Sequence, residues 1–185
     1  MKNFLKLISL GLLLALAGCV SSLNPLYTED DVIFDPALAG VWIDKDSKET
    51  WELTKNGEKQ YKLIYTDENG KSGEFIARLL KIEGEKFMDL TPVNPILSQN
   101  DFYREHFLAV HSFAQITETG STVQISFLEP EWLKTMLAKN PNAIRHEKIG
   151  DEIFLTASPK ELQKFLLAHL NTRGAFADPI SVKRK

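Results

Sequence analysis

From Leu38 onward, apolar and polar residues alternate with a period of two, the pattern of strands that bury one face. Val41-Trp42-Ile43 is the first such run, and Thr50-Trp51-Glu52-Leu53 follows with Trp51 and Leu53 on one face. Tyr61, Leu63 and Tyr65 alternate next, then come a longer strand over Gly73 to Ile82 and a short one over Phe87 to Leu90. Phe107 to Ile116 and the set Val123, Ile125 and Phe127 complete the series. Lys55-Asn56-Gly57, Asp67-Glu68-Asn69-Gly70, Glu83-Gly84 and Glu118-Thr119-Gly120 are turn signals at hairpin distances. Together they predict an antiparallel meander. Thr91 to Asp101, carrying Pro92 and Pro95, predicts a loop.

Two stretches change to the helical period. Pro130 suits a first turn, with Trp132, Leu133, Met136 and Leu137 on one face before Asn140-Pro141 ends the pattern. In the second, Ser158 is the expected N-cap, with Pro159 in the first turn and Glu161 closing a capping box. Leu162, Phe165, Leu166, His169 and Leu170 form its stripe, and Gly174 is the expected stop. Between the helices, Ile144 to Ile149 and Glu152 to Leu155 read as a hairpin about Gly150. The expectation is one α+β domain over residues 36–177: a curved antiparallel sheet or open barrel, packed by two helices near the C-terminus. Residues 178–185, rich in basic side chains, are expected to fray.

The chain's start follows a different logic. Lys2 and Lys6 precede an apolar run from Leu7 to Leu16, and small Ala17 and Gly18 follow, the layout of a secretory signal. The run is well short of the roughly 20 residues that span a bilayer. Leu16-Ala17-Gly18-Cys19 resembles the lipobox of bacterial lipoproteins. That resemblance implies a signal peptide over 1–18, cleavage between Gly18 and Cys19, and a diacylglycerol thioether on Cys19, often joined by an amide-linked acyl chain such as palmitate. Two or more chains give stable anchoring. Residues 19–35 then read as a lipidated tether, though Leu23, Leu26, Tyr27, Val32, Ile33 and Phe34 allow part of it to dock. Position 20 is Val rather than the Asp that resembles an inner-membrane retention signal, which favours the outer membrane's periplasmic leaflet in a Gram-negative source. Asn24-Pro25-Leu26-Tyr27 is similar to a stretch near the start of uncharacterised envelope lipoproteins, a likeness that implies no activity.

Without residues 1–18 the chain keeps 20 basic and 25 acidic side chains, a net charge of −5. With no basic stripe, nucleic acid is not an expected partner, and membrane association rests on the anchor rather than on charge. Cys19 is the sole cysteine, so no disulfide can form within the chain.

Candidate chemistry is sparse. His106 and His111 share a predicted strand at opposite-face positions, while His146 and His169 stand apart, and no zinc-ligand spacing occurs. No metal, cofactor or catalytic residue is assigned. His111 reads as a core histidine satisfied by a neighbour, and His169 sits where a helix dipole favours a cation. Asp89, flanked by Phe87, Met88 and Leu90, is the carboxylate to watch. Its plainer reading is an exposed strand end or a pair with Lys81 or Lys86. Trp42, Trp51, Tyr61, Tyr65, Phe75 and Phe87 crowd the first half of the domain, as a core or as the lining of a pocket. Gly40-Val41-Trp42 resembles the glycine-x-tryptophan signature that opens lipocalin barrels, a resemblance confined to three residues. Three readings follow. The first is a non-enzymatic envelope module that binds a protein or small ligand; the second is a lipocalin-like carrier of an apolar ligand. The third is an envelope hydrolase built around His111 or Asp89, and the balance leans away from an enzyme.

Overall fold

The computed structural model describes residues 19–93 and 106–185; the expected signal segment and most of the expected loop before Asp101 lie outside them. Among the described residues there are twelve strands and two α-helices. In chain order they are β1 (Ser21–Ser22), β2 (Val32–Ile33), a 3-10 turn (Pro36–Leu38), β3 (Gly40–Asp44), β4 (Thr50–Lys55), β5 (Tyr61–Thr66), β6 (Ser72–Ile82) and β7 (Glu85–Pro92). Then come β8 (Ser112–Thr119), β9 (Thr122–Phe127), α1 (Pro130–Lys139), β10 (His146–Ile149), β11 (Glu152–Leu155), α2 (Pro159–His169) and β12 (Ile180–Arg184). The alternating stretches become strands, and the two 3.6-residue stretches become α1 and α2. In α2 the Ser158 backbone N–H donates to the Glu161 carboxylate and the Ser158 side chain accepts from the Glu161 backbone N–H, the reciprocal pair of a capping box, and the Ser158 hydroxyl also bonds that carboxylate. Those bonds, with Arg145, hold the Glu161 carboxyl down at about 2.

Eight strands, β3 through β9 together with β12, close into an antiparallel barrel. Closure depends on two devices. The long β6 serves two neighbours: residues 72–77 pair with β5 and residues 75–82 with β7, while β2 takes the place that β5 leaves beside Leu79 and Leu80. The second device is β12. The tail expected to fray lies between the first and last strands of the meander, with Val182 opposite Asp44 on β3 and Val123 on β9. Without it both strands would be open edges, an arrangement that invites pairing with other chains. Val182 points inward at 1% exposure while Lys183 stays in solvent. Of the basic residues that suggested disorder, Lys183 is on the strand's outward face and Arg184, in register with Trp42, is on the same face as Val182.

The barrel has two apolar regions, one on each side of its wall. Inside, Trp42, Leu53, Tyr61, Leu63, Leu79 and Val182 pack together. Outside, Leu80, Phe87 and Phe113 are covered by Leu133 and Leu137 of α1, by Leu162, Phe165 and Leu166 of α2, and by Val20, Leu26 and Val32 of the N-terminal segment. β7 shows the consequence: Phe87, Met88, Asp89 and Leu90 are all buried, because its two faces meet different layers.

The segment 20–35, expected as a tether, is a strap laid along the outer wall. Ser22 exchanges backbone hydrogen bonds with His111, and β1 runs parallel to β11. Asn24 Nδ2 donates to the carbonyls of Thr156 and Ala157, and Gln163 Nε2 of α2 donates to the Leu26 carbonyl and to Asp31. Leu26 is fully buried, and hiding such a side chain stabilises by roughly 1.5–3 kcal/mol. Tether composition misleads here because the strap's few apolar residues meet a surface only the finished barrel offers.

Ending the chain at Pro179 removes β12 and should abolish cooperative thermal unfolding and admit protease. Lys183→Ala, at an exposed position of the same strand, should shift stability by less than about 0.5 kcal/mol; circular dichroism melts compare the two.

Candidate functional site

One end of the barrel is plugged and the other is open. At the plugged end the 3-10 turn lays Leu38 over Trp42, whose Nε1 donates to the Leu38 carbonyl at 2.8 Å. The Tyr61 hydroxyl donates to the Asp35 carbonyl and accepts from the Asp35 N–H, both at 2.8 Å. Arg184 crosses this end, 5.0 Å from the Trp42 ring centroid, and donates to the Ala37 carbonyl. Gly40 makes the crossing possible: its φ is +144°, and a Cβ there would stand 2.8 Å from Arg184 Nη1. The Gly40-Val41-Trp42 run therefore marks where the first and last strands seal the barrel's base.

At the open end is a cavity of about 480 Å³, within the range of small-molecule sites. Trp51, Leu63, Tyr65, Phe75, Leu90 and Phe127 form its walls, with Ser112, Ile180, Glu49, Glu129 and Cys19 among the other lining residues. Strand register assembles these walls. Trp51 is opposite Tyr65 and Leu63 opposite Phe75, so inward positions of three adjacent strands converge. Trp51 and Tyr65 meet edge to face at 5.0 Å, and Phe127 lies 6.4 Å from Trp51. Gly73, opposite Tyr65, leaves room for the Phe75 ring, which a Cβ would approach to 3.3 Å.

The cavity's polar groups are unequal. The Tyr65 hydroxyl donates to Glu49, and burial together with that carboxylate holds the phenol well above its usual range. Trp51 is 6% exposed, and its Nε1–H is buried with no partner among the described residues. Leaving a buried donor unmade costs about 1–3 kcal/mol. The other buried indole, Trp42, and the buried phenol, Tyr61, are both satisfied; the Trp51 nitrogen is closed in by protein, and it is the ring that lines the cavity.

Of the six aromatics singled out in the sequence, Trp51, Tyr65 and Phe75 line the cavity, Trp42 and Tyr61 plug the base, and Phe87 faces the outer layer. Alternation flagged the group but could not divide it between the barrel's ends. Glu49 and Glu129 carried no signal, because their place at the rim depends on barrel closure.

The titratable residues meet elsewhere. Asp89 is neither an exposed strand end nor a partner of Lys81 or Lys86; it is fully buried on the outer wall. Its carboxylate accepts from the Leu26 N–H at 2.8 Å and lies 2.7 Å from His111 Nδ1. Lys86 instead bridges Asp35 and Glu118, and Lys81 gives its N–H to the Asp31 carbonyl. His111, placed mid-strand by the sequence, precedes β8 and is satisfied by Asp89; His106 lies in a turn outside any strand. The Thr91 hydroxyl is 3.0 Å from the same His111 Nδ1. A nucleophile triad needs the carboxylate on one ring nitrogen and the nucleophile on the other. Here both meet Nδ1, so the trio is not a charge-oriented nucleophile and base. Tyr27 stands edge-on over His111, and Arg78 covers Tyr27 at 4.8 Å. The arrangement pins the strap to the barrel.

His146 Nδ1 meets the Ile144 carbonyl, and His169 packs between Trp132 and Phe165. Burial pushes His169 below the usual imidazole range, against the expectation of a cation stabilised by the helix end. Among the described residues no group of three or more His, Cys, Asp or Glu can hold a metal ion, and no helix is long and apolar enough to cross a membrane. Comparison with known proteins finds no matching family model, no similar curated protein and no similar solved structure.

Asp89→Ala should lower unfolding free energy by about 3–5 kcal/mol, since it strands the Leu26 N–H and His111 in the interior. Urea denaturation measures it, and Asp89→Asn should lose less.

Proposed function

We propose that this protein is a lipid-anchored envelope protein whose barrel binds a small apolar ligand in its open mouth. The observation that carries the reading is the open cavity of about 480 Å³ at one end of the barrel, walled by Trp51, Leu63, Tyr65, Phe75, Leu90 and Phe127. A packed core leaves no such volume, whereas a ligand site is a concave space lined mostly by apolar and aromatic side chains with a few polar groups. An eight-stranded barrel is also the size that holds either a packed interior or one small ligand. This is the lipocalin-like form of the binding module, with ligand entry at the end opposite the sealed Gly40-Trp42 base.

The anchor belongs to the same reading. Cys19 lies at the rim of the mouth and carries the proposed lipid, which places the protein on a bacterial envelope membrane, the periplasmic leaflet of the outer membrane in a Gram-negative cell. Val93, which follows β7, and Phe107 and Leu108, which precede β8, are exposed apolar side chains suited to contact with that membrane. Apart from the Asp89–His111 pair, which is spent on the strap, nothing favours the hydrolase.

N-phenyl-1-naphthylamine should bind with a fluorescence rise, and Ala177→Trp, filling the mouth, should weaken it at least tenfold with an unchanged far-UV spectrum; equal binding by the variant sinks the cavity. Cells fed a radioactive fatty acid should label the wild type and not Cys19→Ala, and an unlabelled wild type refutes the anchor.

A further inference from the structure

The position of Cys19 points to what the mouth holds. We infer that the cavity is the seat of the protein's own anchor: one acyl chain of the lipid on Cys19 folds back through the mouth into the barrel. The inference rests on the proposed lipid and on the cavity being a ligand site, and it names the ligand.

Cys19 itself lines the cavity, beside Glu49, Tyr65, Ser112 and Ala177. It is not on a loose end. Val20, the next residue, is buried in the apolar layer outside the barrel wall. Ser22 donates its N–H to the His111 carbonyl and accepts the His111 N–H, at 2.9 and 2.8 Å, and the Leu23 N–H donates to the Leu155 carbonyl. Tyr65 of the cavity wall lies within electrostatic reach of Cys19. Three residues, from Cys19 to Ser21, span about 10 Å at most. Whatever Cys19 carries therefore starts at the mouth and stays beside it.

From that start an apolar path leads inward. Along β5 the inward side chains step from Tyr65 at the entrance to Leu63 in the wall and Tyr61 in the sealed base, about 7 Å for each pair of residues. Phe75 stands opposite Leu63, and Leu90 and Phe127 wall the same space. A hydrocarbon chain asks of a site only apolar contact along its length, which these side chains supply. An eight-stranded barrel holds one small ligand, so one chain enters. Where Cys19 carries three chains, two remain in the bilayer, the number that stable anchoring takes. The seated chain exchanges one apolar medium for another, and its attachment beside the mouth gives it an effective concentration on the order of millimolar. A free apolar ligand must displace a competitor that never diffuses away.

Cells making the wild type are fed a fatty acid with a terminal diazirine and irradiated, and the monomer band of a denaturing gel is digested. A link from the Cys19 lipid to the peptide carrying Trp51, Leu63 or Phe127 is expected. Ala177→Trp, which narrows the entrance, should cut that link at least tenfold with equal lipid label on Cys19 and an unchanged far-UV spectrum. Wall peptides that carry a membrane lipid instead, or no adduct, overturn the inference, as does a link undiminished in Ala177→Trp. N-phenyl-1-naphthylamine supplies a second measurement. The mature chain made without lipid, residues 19–185 as Cys19→Ala, contains every strand and helix described. It should bind the probe at least tenfold more tightly than the lipidated wild type in phosphatidylcholine nanodiscs, with Ala177→Trp discs as background. Equal affinity overturns the seated chain and leaves the ligand site standing. No binding to the unlipidated chain overturns the ligand site as well, and a wild-type Cys19 without label overturns the anchor.

Discussion

The pairing of β12 with β3 and β9 is the constraint on which the rest of the structure depends. Until it forms, the meander is a curved sheet with two open edges and a shallow apolar face. Once it forms, the inward residues of eight strands face one another across an enclosed interior. Closure defines a base, sealed by Arg184 over Trp42, and a mouth at the opposite end. It also fixes the outer wall as a cylinder whose apolar side must then be covered. The helices cover part of it and the strap covers the remainder, so two layers share one set of strands.

The strap is held less by its length than by a few buried polar contacts. Asp89 is a charge-bearing side chain at zero exposure, tolerable because a backbone N–H and an imidazole both meet it. Gln163 of α2 reaches the same turn from the other side, giving one hydrogen bond to the Leu26 carbonyl and one to Asp31. Thus the stretch Asn24-Pro25-Leu26-Tyr27 is gripped by the barrel, by β11 and its exit loop, and by α2. Its rigidity sets where Cys19 sits, and so couples the proposed anchor to the mouth.

The contrast between the barrel's two ends gives the mouth its meaning. Trp42 and Tyr61 are buried with every polar atom matched, as a core requires. Trp51, on the neighbouring strand and equally buried, has a donor that nothing described meets. The difference lies in what surrounds the rings. The base has carbonyls of the 3-10 turn within reach, whereas the described surroundings of Trp51 are mostly hydrocarbon, with a tyrosine already committed to Glu49.

The sequence by itself determined the local elements: the hairpins from their turn residues, α1 and α2 from Pro130 and the Ser158–Glu161 box, and the aromatic crowding of the first half. Those signals are legible because each is complete within a few residues, where backbone geometry and side-chain period decide the outcome. The tertiary structure alone decided that residues 180–184 form a strand, that residues 20–35 lie on the wall, that Asp89 meets His111 across 22 positions, and that Trp51 faces a cavity while Trp42 does not. Each of these depends on partners far apart in the chain. A short alternating tail looks frayed until two edges need it, and an inward aromatic looks like core until the far side of the barrel shows whether anything fills the space before it.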